Sequence, residues 1–267
     1  MPAKTVTITN QKGGVGKTTT AINLSAALAL EGENVLLVDL DPQAHSTLGL
    51  GVEKGTVTRS VYNAILDETK TEELIIKITD NFYLLPSNIQ LAGAEVELVT
   101  MLDRENRLKR ALMGLKDVYS FIFIDCPPTL GLLTINGLVA ADSVLIPIQC
   151  EYYALEGIAR LLDTINLVKK HINTSLEIEG IVLTMFSSNT NLSHQVAEDV
   201  RNYFKDKVYN TIIPRSIRLA EAPSFGKTIF QYDSNSRGAI AYRELAQEFL
   251  LRQRKIFNQN VNNTKTP

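Results

Sequence analysis

The chain has 267 residues, 45% of them hydrophobic and 21% charged, with a formal net charge of −2. This is enough apolar material for one large core. It is too ordinary for a fibrous or low-complexity protein and too near neutral for bulk charge to mark a nucleic-acid binder. No apolar run approaches the roughly 18 residues of a membrane span. The two cysteines, Cys126 and Cys150, form no C-x-x-C pair and end apolar runs, which fits small buried hydrophobes in a reducing compartment.

A β-branched run, Thr5 to Thr9, predicts a first strand, and Ala21 to Leu30 predicts a helix. Between them lies Asn10 to Thr20, NQKGGVGKTTT. Strand, glycine-rich loop and helix is the context of a phosphate-binding loop. Gly13, Gly14 and Gly16 allow the backbone to approach an anion closely, and the loop amides with those of Val15 and the first helical turn make a donor cradle. Lys17 adds a cation for the β- and γ-phosphates, Thr18 is placed to ligate Mg²⁺, and Thr19 can donate to the α-phosphate. The pattern G-x-x-x-x-G-K-[ST] is met except at its first glycine, where Gln11 stands. A second lysine, Lys12, precedes the glycine pair. Since Lys17 already serves the phosphates, Lys12 needs another role or is a surface residue.

Gly32 marks a helix stop, and Asn34 to Asp39 reads as a strand apolar on both faces, the kind found in covered parallel sheets. It ends in Asp39-Leu40-Asp41-Pro42. Ligands bind at the carboxyl edge of such sheets, so two acids there are placed for chemistry, and their alternation sends them in opposite directions. Helical spacing covers Thr58–Leu66 and Glu95–Leu115, the latter with a core face of Leu98, Leu102, Leu108, Leu112 and Leu115, and a short strand is expected near Phe82–Leu85. Ser120 to Asp125 is an apolar run ending in aspartate, the Walker B form, with Asp125 holding Mg²⁺ through water opposite Thr18. Further strands are expected at Ser143–Ile148 and Glu177–Thr184, and helices up to Lys170, over Ser193–Lys207 and over Gly238–Ile256. The expected fold is a single α/β domain over 1–257, with a mostly parallel twisted sheet and helices on both faces. A polar tail, 258–267, is expected to be unstructured. From residue 195 onward 12 Lys+Arg stand against 7 Asp+Glu, but on charge alone chance asymmetry across solvated helices is the simpler account.

The stretches NQKGGVGKTT, VLLVDLDPQ, IDCPPTLGLLTIN, QCEYYALEG, TMF…TNL and IPRSIRLAEAPS resemble the ParA/MinD class of P-loop ATPases with a deviant Walker A loop, and the likeness spans roughly residues 4–250. The resemblance implies that Lys12 reaches the partner's site across an ATP-sandwich homodimer. It implies that Asp41 orients the attacking water, that Asp39 supports the magnesium, and that Pro214 and Ser216 line the adenine pocket. The cofactors would be ATP and Mg²⁺. The partners would be a second copy, non-specific DNA and a ParB-type centromere-binding protein, in the cytoplasm on the nucleoid, without stable membrane association. Asn189 stands where close relatives place a DNA-binding arginine, which shifts that role to Arg218, Lys227, Arg201, Lys205 and Lys207. Two other readings are a membrane-positioning ATPase like MinD and a metabolic ATP-using enzyme such as dethiobiotin synthetase.

Overall fold

The computed structural model describes residues 2–66, 69–152, 154 and 158–263. Among them eight strands form one sheet: β1 (Lys4–Ile8), β2 (Val35–Asp39), β3 (Ile76–Thr79), β4 (Phe82–Leu85), β5 (Phe121–Asp125), β6 (Ser143–Gln149), β7 (Glu177–Phe186) and β8 (Val208–Pro214). Their order is β3-β4-β2-β5-β1-β6-β7-β8. All neighbours are parallel except β3 and β4, which pair antiparallel at one edge. The helices are α1 (Lys17–Leu30), α2 (His45–Gly49), α3 (Val61–Leu66), α4 (Leu91–Leu98), α5 (Arg107–Leu112), α6 (Leu132–Ala140), α7 (Ile158–His171), α8 (Asn191–Phe204), α9 (Ile217–Glu221), α10 (Ile229–Tyr232) and α11 (Arg237–Asn263).

The apolar strands bury both faces, as their lack of alternation predicts. Val35 and Leu37 with Phe121 and Phe123 pack against Leu24 and Leu28 of α1 and Tyr242, Leu245 and Phe249 of α11. Leu36, Val38, Ile122 and Ile124 face the other way, onto α3, α4, α5 and α6. Each such side chain contributes roughly 1.5–3 kcal/mol by leaving water, so the two layers hold the sheet's carboxyl edge rigid. β1 sits between β5 and β6, where successive crossovers leave in opposite directions. That switch point opens a crevice at the carboxyl edge, where the phosphate loop emerges.

The structure differs from the sequence reading in three places. The helix expected over Glu95–Leu115 is broken: Asp103 adopts a left-handed φ of 55° and separates α4 from α5. Leu102 therefore lies outside the core, while Leu98, Leu108, Leu112 and Leu115 are buried. β3 lacked a recognisable pattern because it is a short, half-covered edge strand. The last helix continues to Asn263, so residues 258–263 are helical where an unstructured tail was expected; residues 264–267 lie outside the described residues. Of QCEYYALEG, Tyr153 and residues 155–157 lie outside them as well.

Candidate functional site

The loop after β1 folds around its glycines. Gly14 and Gly16 take φ of 74° and 88°, the left-handed region that a side chain resists, and Gly16 caps α1. Distant elements then lock it. Asn10 donates through Nδ2 to Pro147 O at 2.8 Å while its Oδ1 accepts from Lys12 N at 3.0 Å. Thr184, near the end of β7, donates to Val15 O at 2.8 Å. The loop is thus set by two strands far away in sequence. Thr184→Val keeps the shape but strands a buried carbonyl, a loss of about 1–3 kcal/mol. Nucleotide affinity is expected to fall roughly tenfold with a lowered Tm, and calorimetry on the variant checks it.

A cavity of about 690 Å³ opens over the loop, lined by Gly13, Gly14, Gly16, Lys17, Thr18, Thr19, Asp41, Gln43, His45 and Pro128 among others. Lys17 is only 7% exposed, and its ammonium donates to Lys12 O at 3.2 Å. Burial holds its pKa below the usual lysine value, against the pull of Asp125, Asp41 and Cys126. A dehydrated cation whose acceptor is a neutral carbonyl is ready for an anion.

The parallel register sets Asp39 directly beside Asp125. Both are fully buried. Burial pushes the Asp125 carboxyl up to about 6, although the hydroxyls of Ser46 and Thr18 beside it pull it down. Ser46 Oγ sits 2.7 Å from Oδ2, whereas Oδ1 is buried with no hydrogen-bond partner among the described residues. An orphaned carboxylate oxygen beside a threonine hydroxyl suits a hard, oxygen-preferring cation. Mg²⁺ held partly by substrate phosphates needs only one or two protein oxygens. No group of three or more His, Cys, Asp or Glu side chains able to hold a metal unaided occurs among the described residues. Thr18 and Asp125 therefore fit the expected magnesium side.

Asp39 does not. Its Oδ2 accepts from Thr47 N at 2.8 Å and Thr47 Oγ1 at 2.7 Å, and its Oδ1 from Asp41 N at 3.2 Å. Burial, then the Asp125 charge, push its pKa up to about 7. Like Asp125, it stands outside the cavity wall, but both of its oxygens are already engaged. Its work here is to fold the loop between β2 and α2, and that loop presents Asp41 to the cavity. Asp41 Oδ1 accepts from Gln43 N at 2.9 Å, and Ser87 Oγ donates to Asp41 O at 2.7 Å.

A second cavity of about 160 Å³ contains Pro214 and Ser216, with Leu219, Ala220 and Tyr242. It shares Gly16, Thr19 and Met185 with the phosphate cavity. A small, mostly apolar slot continuous with a phosphate cradle fits a purine base. Met185, at the junction, holds a left-handed φ of 52° where the β7–β8 register slips. Strain of this kind in a non-glycine residue persists only where its surroundings impose it. Lys12 turns elsewhere: it lines a neighbouring cavity of about 550 Å³ with Glu151, Ser193 and Arg215, outside the phosphate cavity of its own chain.

The expected DNA-contacting residues do not form one patch. Arg218 Nη1 lies 3.1 Å from Glu221 and its Nε 3.6 Å from Asp233. It and exposed Lys227 flank the turn Ala222–Phe225 beyond the carboxyl end of β8. Arg201 reaches Asn210 O at 3.5 Å and Lys207 reaches Ile178 O at 3.2 Å, so with Lys205 they sit at the amino ends of β7 and β8. About 20 Å of strand separates the groups. The sequence reading gives no role to Ser46, Thr47, Thr184 or Met185, because their surroundings are set by elements distant in the chain.

A family model described as an AAA domain matches residues 3–178. The sporulation initiation inhibitor protein Soj of Bacillus subtilis is 58% identical over 92% of this chain and 97% of its own length. The chromosome partitioning protein ParA of Myxococcus xanthus is 53% identical over 92% and 88%. A crystal structure described as cobyrinic acid a,c-diamide synthase from Mycobacterium smegmatis, with ADP and magnesium, superposes with a TM-score of 0.83 at 40% identity, covering 95% of this chain and 96% of that one. The cell division ATPase MinD of Pyrococcus furiosus gives a TM-score of 0.73 at 29% identity over 92% and 98%. The likeness to Soj and ParA runs nearly end to end and includes the phosphate loop, and by it the chain belongs to the ParA/Soj class of P-loop ATPases.

Proposed function

We propose that the chain is an ATP-driven switch in DNA segregation. ATP closes two copies into a homodimer, the dimer holds DNA without reading sequence, and a ParB-type partner triggers hydrolysis to ADP and phosphate, which releases both. The protein works in the cytoplasm on the nucleoid. The observation that carries the reading is the convergence of Lys17, Thr18 and Asp41 around one cavity at the switch point of the sheet, with the buried Asp125 carboxylate next to them. Relatives named as chromosome-partitioning ATPases supply the biological setting.

The loop amides and Lys17 bind the β- and γ-phosphates. Asp41 accepts a hydrogen bond from the attacking water and aligns it. Thr18 and Asp125 would hold Mg²⁺, which when bound neutralises charge on the phosphates. The solved M. smegmatis relatives with ADP or an ATP analogue and magnesium support this assignment. Lys12 faces away from its own phosphates, which suits action on a partner's nucleotide. Arg218 and Lys227 on one end, and Arg201, Lys205 and Lys207 on the other, supply cations for DNA phosphates across the dimer. Neutralising any one of these cations lowers the salt slope of binding by about one.

The M. smegmatis neighbour's description gives the metabolic alternative its specific support. Soj and ParA match at higher identity and nearly full length, and favour the switch. Lys12→Ala tests the central step. It is expected to bind ATP normally yet stay monomeric in Mg-ATP by light scattering, with turnover well below the parent. Unchanged dimerisation and turnover would reduce Lys12 to a surface residue and remove the ATP-sandwich step. Phosphate release without any organic acceptor separates the switch from a synthase.

A further inference from the structure

One ionisable side chain of the phosphate cavity has no part in the chemistry assigned to Lys17 and Asp41. Among the residues lining that cavity, only Lys17, Asp41 and His45 bear ionisable groups. His45 opens α2 and is exposed. No hydrogen bond or ion pair engages its ring among the described residues. Imidazole is the side chain whose ordinary titration falls between about pH 5 and 8, so it is the natural carrier of a charge that comes and goes near neutrality.

The backbone on either side of His45 is fixed. Ala44 N donates to Asp41 O at 2.8 Å. Ala44 also holds φ at 56°, a left-handed value that an alanine keeps only where its surroundings impose it. On the other side Ser46 Oγ donates to Asp125 Oδ2 at 2.7 Å, and Thr47 donates through N and Oγ1 to Asp39 Oδ2. His45 thus stands in the chain between the carboxylate assigned to the attacking water and the carboxylate assigned to magnesium. The terminal phosphate of a bound nucleotide belongs between those same two groups, and the ring has only its own rotation left with which to meet it. α2 carries no other charged residue. Of the elements packed on it, α1 brings Lys17, β2 brings Asp39 and the turn Ala222–Phe225 brings none. Asp41 and Asp125 complete the charges around the ring, and both Asp39 oxygens are already engaged.

We infer that His45 binds the terminal phosphate of ATP, and that its protonation makes the preference for ATP over ADP depend on pH. The inference rests on the reading of this cavity as an ATPase site and adds a group to it. The imidazolium donates a charge-assisted hydrogen bond to the γ-phosphate, a contact that ADP lacks. The neutral ring still donates from one nitrogen but brings no charge. Lowering the pH therefore adds a positive charge where the triphosphate has its extra negative ones, and raising the pH removes it. Because ATP closes the dimer in the proposed cycle, acidification favours the closed state.

Calorimetry on the full chain, with Mg-ADP and with the magnesium complex of a non-hydrolysable ATP analogue, gives the ratio of the two affinities at about pH 6 and about pH 8, on either side of the imidazole range. The terminal phosphate titrates near neutrality as well, so His45→Gln, which never charges, sets the baseline. On acidification the parent's ratio in favour of the triphosphate is expected to rise about tenfold more than that of His45→Gln, the scale of one charge-assisted contact. His45→Lys carries a fixed cation and is expected to keep a high ratio at both pH values. Melting temperatures should match the parent, because the ring is exposed and makes no bond among the described residues. A merely structural histidine would change both affinities alike and would not be rescued by lysine. Equal pH responses in the parent and His45→Gln overturn the role of His45 alone. A parent that binds neither nucleotide overturns the ATPase reading of the cavity and the role of His45 together.

Discussion

Lys17→Ala is expected to abolish measurable ATP binding while leaving the fold intact. The ammonium is almost wholly buried and donates to Lys12 O at 3.2 Å. Burial already holds its pKa down, so much of the cost of dehydrating it is present before nucleotide arrives. Its contact with a phosphate then loses little to solvent competition. Removing a charge-assisted bond in that setting costs about 3 kcal/mol, more than a hundredfold in Kd. The same burial explains why the fold survives, since alanine removes a charge that the apo protein desolvates at a cost. Lys17→Gln retains much of the stem and separates charge from packing. Calorimetry with a non-hydrolysable ATP analogue, alongside thermal melting, checks both parts. Parent-like affinity in either variant would show that the loop does not bind phosphate in this way.

The parts of the site that the sequence displays are those built from neighbours in the chain. The phosphate loop is contiguous, and its glycines fall where φ turns positive at Gly14 and Gly16. Asp125 announces itself because it ends an unbroken apolar strand, and Asp41 because it follows two residues after another such strand ends. The same logic says less about Asp39. A carboxylate at a strand end is visible, but whether its oxygens face the ligand or Thr47 is decided by how the next loop folds back. Thr184 is an unremarked strand residue until the sheet brings it to Val15 O, 169 positions away. Ser46 reaches Asp125 across 79 positions in the same way. The basic residues show the limit of charge counting. The C-terminal excess is real, yet the strands that separate Arg218 from Arg201 put its members at opposite ends of the sheet. Asp103 shows the limit of periodicity, since the leucines from Leu98 to Leu115 read as one helical face although α4 ends at Leu98 and the backbone turns left-handed at Asp103 before α5 begins.

Asp41→Ala is expected to separate binding from chemistry. Asp41 lines the cavity beside Lys17 and Thr18 without being needed to hold either. Losing the group that aligns the water should lower kcat by roughly a hundredfold or more, the usual range for a positioned general base. Phosphate binding should persist or tighten, because one negative charge leaves a cavity that receives an anion. The protein should accumulate as an ATP-bound dimer that holds DNA through a salt increase that strips the parent. Alanine also removes the acceptor for Gln43 N, so a slackened loop is a competing cause of lost turnover. Asp41→Asn answers that point: its amide oxygen can keep the Gln43 bond while the charge is gone. If alignment by the carboxylate is what matters, both variants lose turnover alike and both dimerise. If asparagine restores the parent rate, Asp41 serves the loop and another group orients the water. Size-exclusion with light scattering in Mg-ATP, followed by DNA retention at two salt concentrations, distinguishes these outcomes. A monomeric Asp41→Ala in ATP would remove hydrolysis as the step that opens the dimer.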